Sequence, residues 1–269
     1  MDVLKSKFIC QVVAKRFTSY LRAHKKRFYK EVTLKPVQDG FLIQLDKRTI
    51  KTPLGKPLLV PCEPLGIAVA NEWHMQDSDI NTSAMPLTVI CNTAIDNPSS
   101  ITKSDLVNGM LRYFQTDTIC ALADQPEELV ELQGREWVPI INWFSKWHGI
   151  SVVSTSSLFE LKQPDLSISK LKDHLMNLNR WQIYGLQSAM EITKSFILPM
   201  VVSQKYISVE KAVYLSRLEV EHQITKWGNV EFAHELEKQN QTIFLAAGIL
   251  FYHFTAGIHD SFESNNEVS

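Results

Sequence analysis

Between Arg27 and Pro61 apolar and polar residues alternate with a period of two. FYKEVTL, GFLIQLD, RTIKT and KPLLVP are short β-type runs, separated by Gln38-Asp39-Gly40, Asp46-Lys47 and Pro53-Leu54-Gly55. The Asp46-Lys47 step predicts a tight hairpin, and the stretch as a whole an antiparallel sheet of three or four strands. After Pro61 the period lengthens. Pro64 suits a helix start, and Leu65, Ala68, Val69 and Trp73 then share one face. A loop through Asp79 to Ser83 leads to an apolar helix, MPLTVICNTAID, ending near Asn97-Pro98. Residues 103–123 and 126–147 predict two more helices, and 152–164 a short strand or extended excursion. From Ser167 to Phe254 the pattern is helical, with Pro199 expected to kink or split one segment. Strands followed by helices predict an α+β protein, with a β-rich N-terminal domain at 27–100 and an α-helical domain at 101–258. Residues 1–26 are expected to be a leader and 259–269 a disordered tail.

Charge sharpens this division. Of 28 basic and 29 acidic residues, nine basic and one acidic precede residue 31, leaving 19 against 28 in the remainder. An acidic body argues against nucleic acid as a partner. The basic start carries hydroxyl residues and has Phe8, Val12 and Val13 at helical spacing, the marks of a mitochondrial transit peptide. The alternative is a basic arm that binds RNA or anionic lipid. The longest apolar run, IFLAAGILFY at 243–252, is about half of the roughly 20 residues a membrane span needs, so no membrane insertion is expected. Cys10, Cys62, Cys91 and Cys120 form no CxxC and suggest free buried thiols.

Motifs of catalysis are not found. Neither phosphate-binding loop motif occurs, and there is no GxSxG. His234-Glu235-Leu236-Glu237 begins like HExxH but has no second histidine one turn on. Glu72, His74, Asp77 and Asp79 match no metal-ligand spacing. Trp137, Trp143 and Trp147 recur with Ile140, Ile141 and Phe144 as a core stripe, and Trp73, Trp181 and Trp227 are read as core residues of other helices. One stretch stands out, LEVEHQITKWGNVE at 218–231. Ser208 is a good N-cap for a helix running through Trp227 to Gly228, with Val213, Val220, Ile224 and Trp227 on an inward stripe. Glu219 and Glu221 then diverge by about 100° to either side of Val220. That opposes a shared metal or a proton-sharing pair. The bland reading is a solvated face, with Glu221 paired to Arg217 one turn back.

Motifs in order over nearly the whole chain resemble the mitochondrial F1-ATPase assembly factor 2 family. They are RFYKEV at 27–32, LDKR with KTP at 45–53, EWHMQDSDI at 72–80, and MPLTVICNTAID at 85–96. Tyr113, Thr116-Asp117, Pro126, Gln133, Trp137, Pro139 and Trp143 follow, then SRLEVEHQITKWGNVE at 216–231. Relatives tend to carry a third acidic residue between the two glutamates, where this chain has Val220. The resemblance implies a non-catalytic matrix chaperone, without cofactor or metal. It would hold the unassembled alpha subunit of F1-ATPase and be monomeric when free. It also implies that an acidic residue in the last motif serves chaperoning, so Glu221, Glu219, Gln223 and Glu72 are the expected client-binding residues. The competing readings are a small-molecule enzyme using Glu72 and Glu221 as acid and base, and a passive subunit of a matrix complex.

Overall fold

The computed structural model describes residues 25–157, 161–228 and 233–258, so the tail and the leader up to residue 24 lie outside the described residues. Lys25 and Lys26, expected to belong to the leader, form a short strand. The fold is α+β, and the chain divides into two compact units, Met1–Asp96 and Asn97–Ser269.

In the first unit, β2 (Val32–Val37) pairs antiparallel along β3 (Gly40–Leu45). The other side of β3 is shared by β4 (Arg48–Thr49) and β5 (Leu59–Val60). A separate short ribbon joins β1 (Lys25–Lys26) to β6 (Asp79–Ile80). The β3–β4 hairpin turns at Asp46 and Lys47, with φ of 47° and 69°, the left-handed pair that a two-residue hairpin requires. The Asp46 carboxylate accepts the backbone N–H groups of Lys30 and Glu31. Those bonds hold its pKa below the ordinary value, Glu31 contributing most. Ile43 and Leu45 turn inward beneath helix α1 (Glu63–His74), whose Leu65 and Val69 are fully buried. Gly66 allows that close approach, since a Cβ there would sit 2.8 Å from a Leu34 methyl. Helix α2 (Pro86–Asp96) completes the unit. At its C-terminus Asp96 accepts from the Thr52 hydroxyl at 2.5 Å and from Leu54 N at 3.1 Å, closing the 52–56 turn.

The second unit is helical. Helix α3 (Lys103–Gln115) opens with a Thr102/Asp105 capping box. The predicted 103–123 helix stops early, because Asp117 turns inward. Its fully buried carboxylate caps a single 3-10 turn, Thr118–Cys120, and accepts the N–H groups of Phe196 and Ile197. Burial outweighs those donors and lifts its pKa to about 6. The predicted 126–147 helix is two helices, α4 (Glu127–Glu136) and α5 (Val138–His148). The break at Trp137 reflects Pro139, whose ring and missing N–H forbid an unbroken helix but suit a first turn. Beyond Gly149, a left-handed C-cap with φ of 60°, residues 150–157 run extended, and Thr155 forms an isolated parallel bridge to Ala121.

Helices α6 (Asp165–Met176), α7 (Arg180–Thr193), α8 (Ile197–Ser203), α9 (Val209–Ser216), α10 (Leu218–Trp227) and α11 (Ala233–Phe254) follow. The helical pattern breaks at residues 194–196, just ahead of Pro199. The proline sits in the first turn of α8, where its lost donor would have had no partner anyway. Helices α7 and α11 form the central pair. They meet at Gly185 and Gly248, where either added Cβ would lie 2.8 Å from the other glycine's carbonyl oxygen. Phe114, Phe144 and Phe196, each fully buried, meet elsewhere in the core.

Not every tryptophan is a core residue. Trp137 is buried, but Trp147 is 58% and Trp227 78% exposed, against expectation. Trp143 is half-buried and stacks between Trp147 and Tyr206 at ring separations of 5.1 and 4.2 Å, so this side of α5 faces outward. Cys91 and Cys120 are buried free thiols, Cys62 is a partly buried one, and Cys10 lies outside the described residues.

Candidate functional site

Ser208 caps α9 as expected, its hydroxyl accepting from Lys211 N at 3.2 Å. The helix does not run on to Trp227, however. It breaks at Arg217 (φ −113°, ψ 11°) and restarts as α10. The reason is the Arg217 side chain, only 4% exposed. It meets Glu221 one turn ahead at 3.5 Å and Glu237 of α11 at 2.8 Å. A buried guanidinium needs such anionic company, and its supply from α11 fixes where α10 begins. Even so, Arg217 Nε and Nη2 are buried without a hydrogen-bond partner among the described residues.

Glu219 points to the other side. Its Oε1 accepts from Gln133 Nε2 at 2.9 Å, and Gln133, 1% exposed, in turn accepts from Ala123 N at 2.7 Å. In the sequence Gln133 is one residue of a motif; its role here depends on a contact 86 residues away in sequence. A surface ion pair, Lys226 to Glu128 at 2.7 Å, ties the far end of α10 to α4. The two glutamates therefore diverge, each steered by a buried partner, with Gln223 exposed nearby. Val220 and Ile224 are only half-covered, and Leu218 is the sole buried residue of α10. The inward stripe fails at Trp227, because nothing in the described residues covers that end of the helix. Gly228 ends it with φ of 88°, its N–H returning to Ile224 O. Residues 229–231 of the motif lie outside the described residues.

Glu72 belongs to the first unit and is committed there. Its two oxygens accept Leu87 N, Thr88 N and the Thr88 hydroxyl at 2.7–2.8 Å, capping the N-terminus of α2. Burial raises its pKa against those three bonds. Among the described residues no cluster of three His, Cys, Asp or Glu could hold a metal, and no helix is long and apolar enough to cross a membrane.

Comparison with known proteins agrees with the ordered motifs. Residues 26–145 match the family model of the ATP12 chaperone protein. The chain is 29% identical to Protein atp12, mitochondrial, of Schizosaccharomyces pombe, over 87% of this chain and 84% of that one. It is 27% identical to Protein ATP12, mitochondrial, of Saccharomyces cerevisiae, over 83% and 82%. Its fold is similar to the crystal structure of Atp12 from Paracoccus denitrificans, with a TM-score of 0.76 and 28% identity over 86% of this chain and 98% of that one. Ordered motifs, relatives matched over most of their length and a shared fold lead to one conclusion: the chain is similar to the proteins of the ATP12 chaperone family.

Proposed function

We propose that this protein is a mitochondrial matrix chaperone that binds the unassembled alpha subunit of F1-ATPase, prevents its aggregation and hands it on to ATP synthase assembly. It works as a monomer when free, without catalysis, cofactor or metal. Beside the likeness to a chaperone family, the observation that carries this reading is α10, a helix that buries one residue and presents two carboxylates held apart by Gln133 and Arg217. Carboxylates oriented by buried partners lose little freedom on meeting a basic group of the client. Truncating one side of such a desolvated pair costs roughly 2–5 kcal/mol. Of the expected residues, Glu221, Glu219 and Gln223 form the site. Glu72, engaged in capping α2 of the first unit, is left out of the proposed site.

The test is co-expression with the alpha subunit, scoring soluble alpha and the melting temperature of each variant. Glu219→Gln, whose amide oxygen can still accept from Gln133, is expected to melt near wild type and to lose most of the soluble alpha. At Glu221 a lysine would face the buried Arg217, so Glu221→Gln, which keeps the shape, is the cleaner change. Normal melting together with undiminished soluble alpha in both variants would make α10 a solvated face.

A further inference from the structure

Next to α10 the second unit has a further feature. A groove of about 380 Å³ opens between the C-terminal turn of α7 and the N-terminal half of α11, lined by Ile192, Leu236 and Phe244. Its polar lining is Glu191, Glu237, Asn240 and Gln241. The Gln241 Oε1 is buried and has no donor among the described residues. Glu191 receives one long bond, from Gln187 at 3.4 Å, while Lys194 acts on it through space. Glu237 is already engaged by Arg217.

Leu236 lines this groove, and further along the same helix Ile243 and Leu250 are also exposed, the three by 60, 50 and 45%. Seven residues advance a helix by about 700°, within roughly 20° of whole turns, so the three form one stripe. Glu235 and Glu237 lie about 100° to either side of Leu236, and Lys238 falls on the far side. From His234 to Ile243 no side chain of this helix is buried. An apolar seam at heptad spacing, with acids beside it and one unfilled acceptor in the adjoining groove, is half of a helix–helix interface.

We propose that this groove and stripe dock an amphipathic helix that carries a lysine or arginine beside its own apolar seam. Its apolar residues cover Leu236, Ile243 and Leu250. Its ammonium or guanidinium enters the groove to meet the Glu191 carboxylate and Gln241 Oε1, the acceptor that no donor among the described residues fills. Arg217 links Glu237 of this groove to Glu221 of α10, so the seam continues the acidic face already described. The inference rests on the chaperone reading and names the client chemistry that this face accepts.

The experiment uses the full chain with a photoreactive phenylalanine analogue at position 243, co-expressed with the alpha subunit, alongside Ile243→Asp and Gln241→Leu. Cross-linking from position 243 to an alpha-subunit helix bearing Lys or Arg is expected. Both substitutions should keep the melting temperature, and Ile243→Asp should weaken capture of alpha on the order of tenfold or more. If wild type keeps alpha soluble while Ile243→Asp does equally well and position 243 yields no cross-link to alpha, the groove proposal fails and the chaperone reading stands. Cross-linking only to a second copy of this chain also overturns it. If wild type itself leaves alpha insoluble, the chaperone reading falls, and this inference with it.

Discussion

Trp137 is fixed both by packing and by a hydrogen bond. It is 4% exposed, and its indole Nε1 donates to Leu215 O at 3.0 Å, tying the α4–α5 break to α9. Replacing it with phenylalanine keeps most of the apolar contact but takes one donor from that carbonyl. A cost of about 1–3 kcal/mol is expected in denaturant unfolding, with client capture unchanged where the protein remains folded. Trp143, half-buried in a surface stack, should tolerate truncation better than the 3–5 kcal/mol typical of a buried tryptophan. A second residue effect concerns pH. His148 and His174 meet edge to face with ring centroids 5.0 Å apart, and neither Nε2 has a partner among the described residues. Burial first, and His174 second, lower the His148 pKa from 6.5 to about 4. The unfolded chain therefore takes up the proton first. The stability of the neutral ring is complete above about 6.5 and drains away as the pH falls towards 4. Asp117, lifted to about 6, slopes the opposite way between its ordinary 3.8 and 6, so a wild-type curve alone mixes the two. Comparison with His148→Phe separates them: wild type should lose more melting temperature than the variant between pH 7 and pH 5.

Elements whose signals are local were legible in the sequence. The Asp46-Lys47 hairpin needs only two left-handed residues, and the Ser208 cap only a hydroxyl ahead of a helix. The break at Trp137 had a visible cause in Pro139, which the apolar period obscured. The break at Arg217 had none nearby, since no proline or glycine marks it and its cause is Glu237, twenty residues on. Periodicity likewise placed Trp147 and Trp227 on stripes without telling whether anything covers them. The candidate glutamates and their divergence could be read directly; the buried Gln133 and Arg217 that steer them could not, because both effects are tertiary. The α7–α11 crossing is similar. Gly185 and Gly248 look unremarkable in sequence, yet each backbone oxygen occupies the space of the other's Cβ. Gly248→Ala must push the helices apart, a cost of roughly 1–3 kcal/mol that a urea titration should register as a lower midpoint.

At the scale of the molecule, kinship and site fall on different stretches. The family model covers residues 26–145, all of the sheet and the first helices of the second unit. The carboxylates of α10 and the groove beside α11 lie beyond it, wholly within Asn97–Ser269. That unit has a core of its own, including Phe114, Phe144, Phe196 and Phe251, each fully buried. Its polar anchors are also internal. Gln133 orients Glu219, Arg217 joins Glu221 to Glu237, and Asp117 caps two helical segments from within the same unit. The residues named as orienting the proposed docking face all lie within this unit. A fragment of residues 97–269 should therefore fold, unfold cooperatively in a thermal melt, and retain measurable capture of the alpha subunit on co-expression. The complementary fragment, 25–96, holds Glu72 locked in its helix cap and should capture none. A folded 97–269 fragment that leaves alpha insoluble, paired with a sheet fragment that rescues it, would move the site into the first unit.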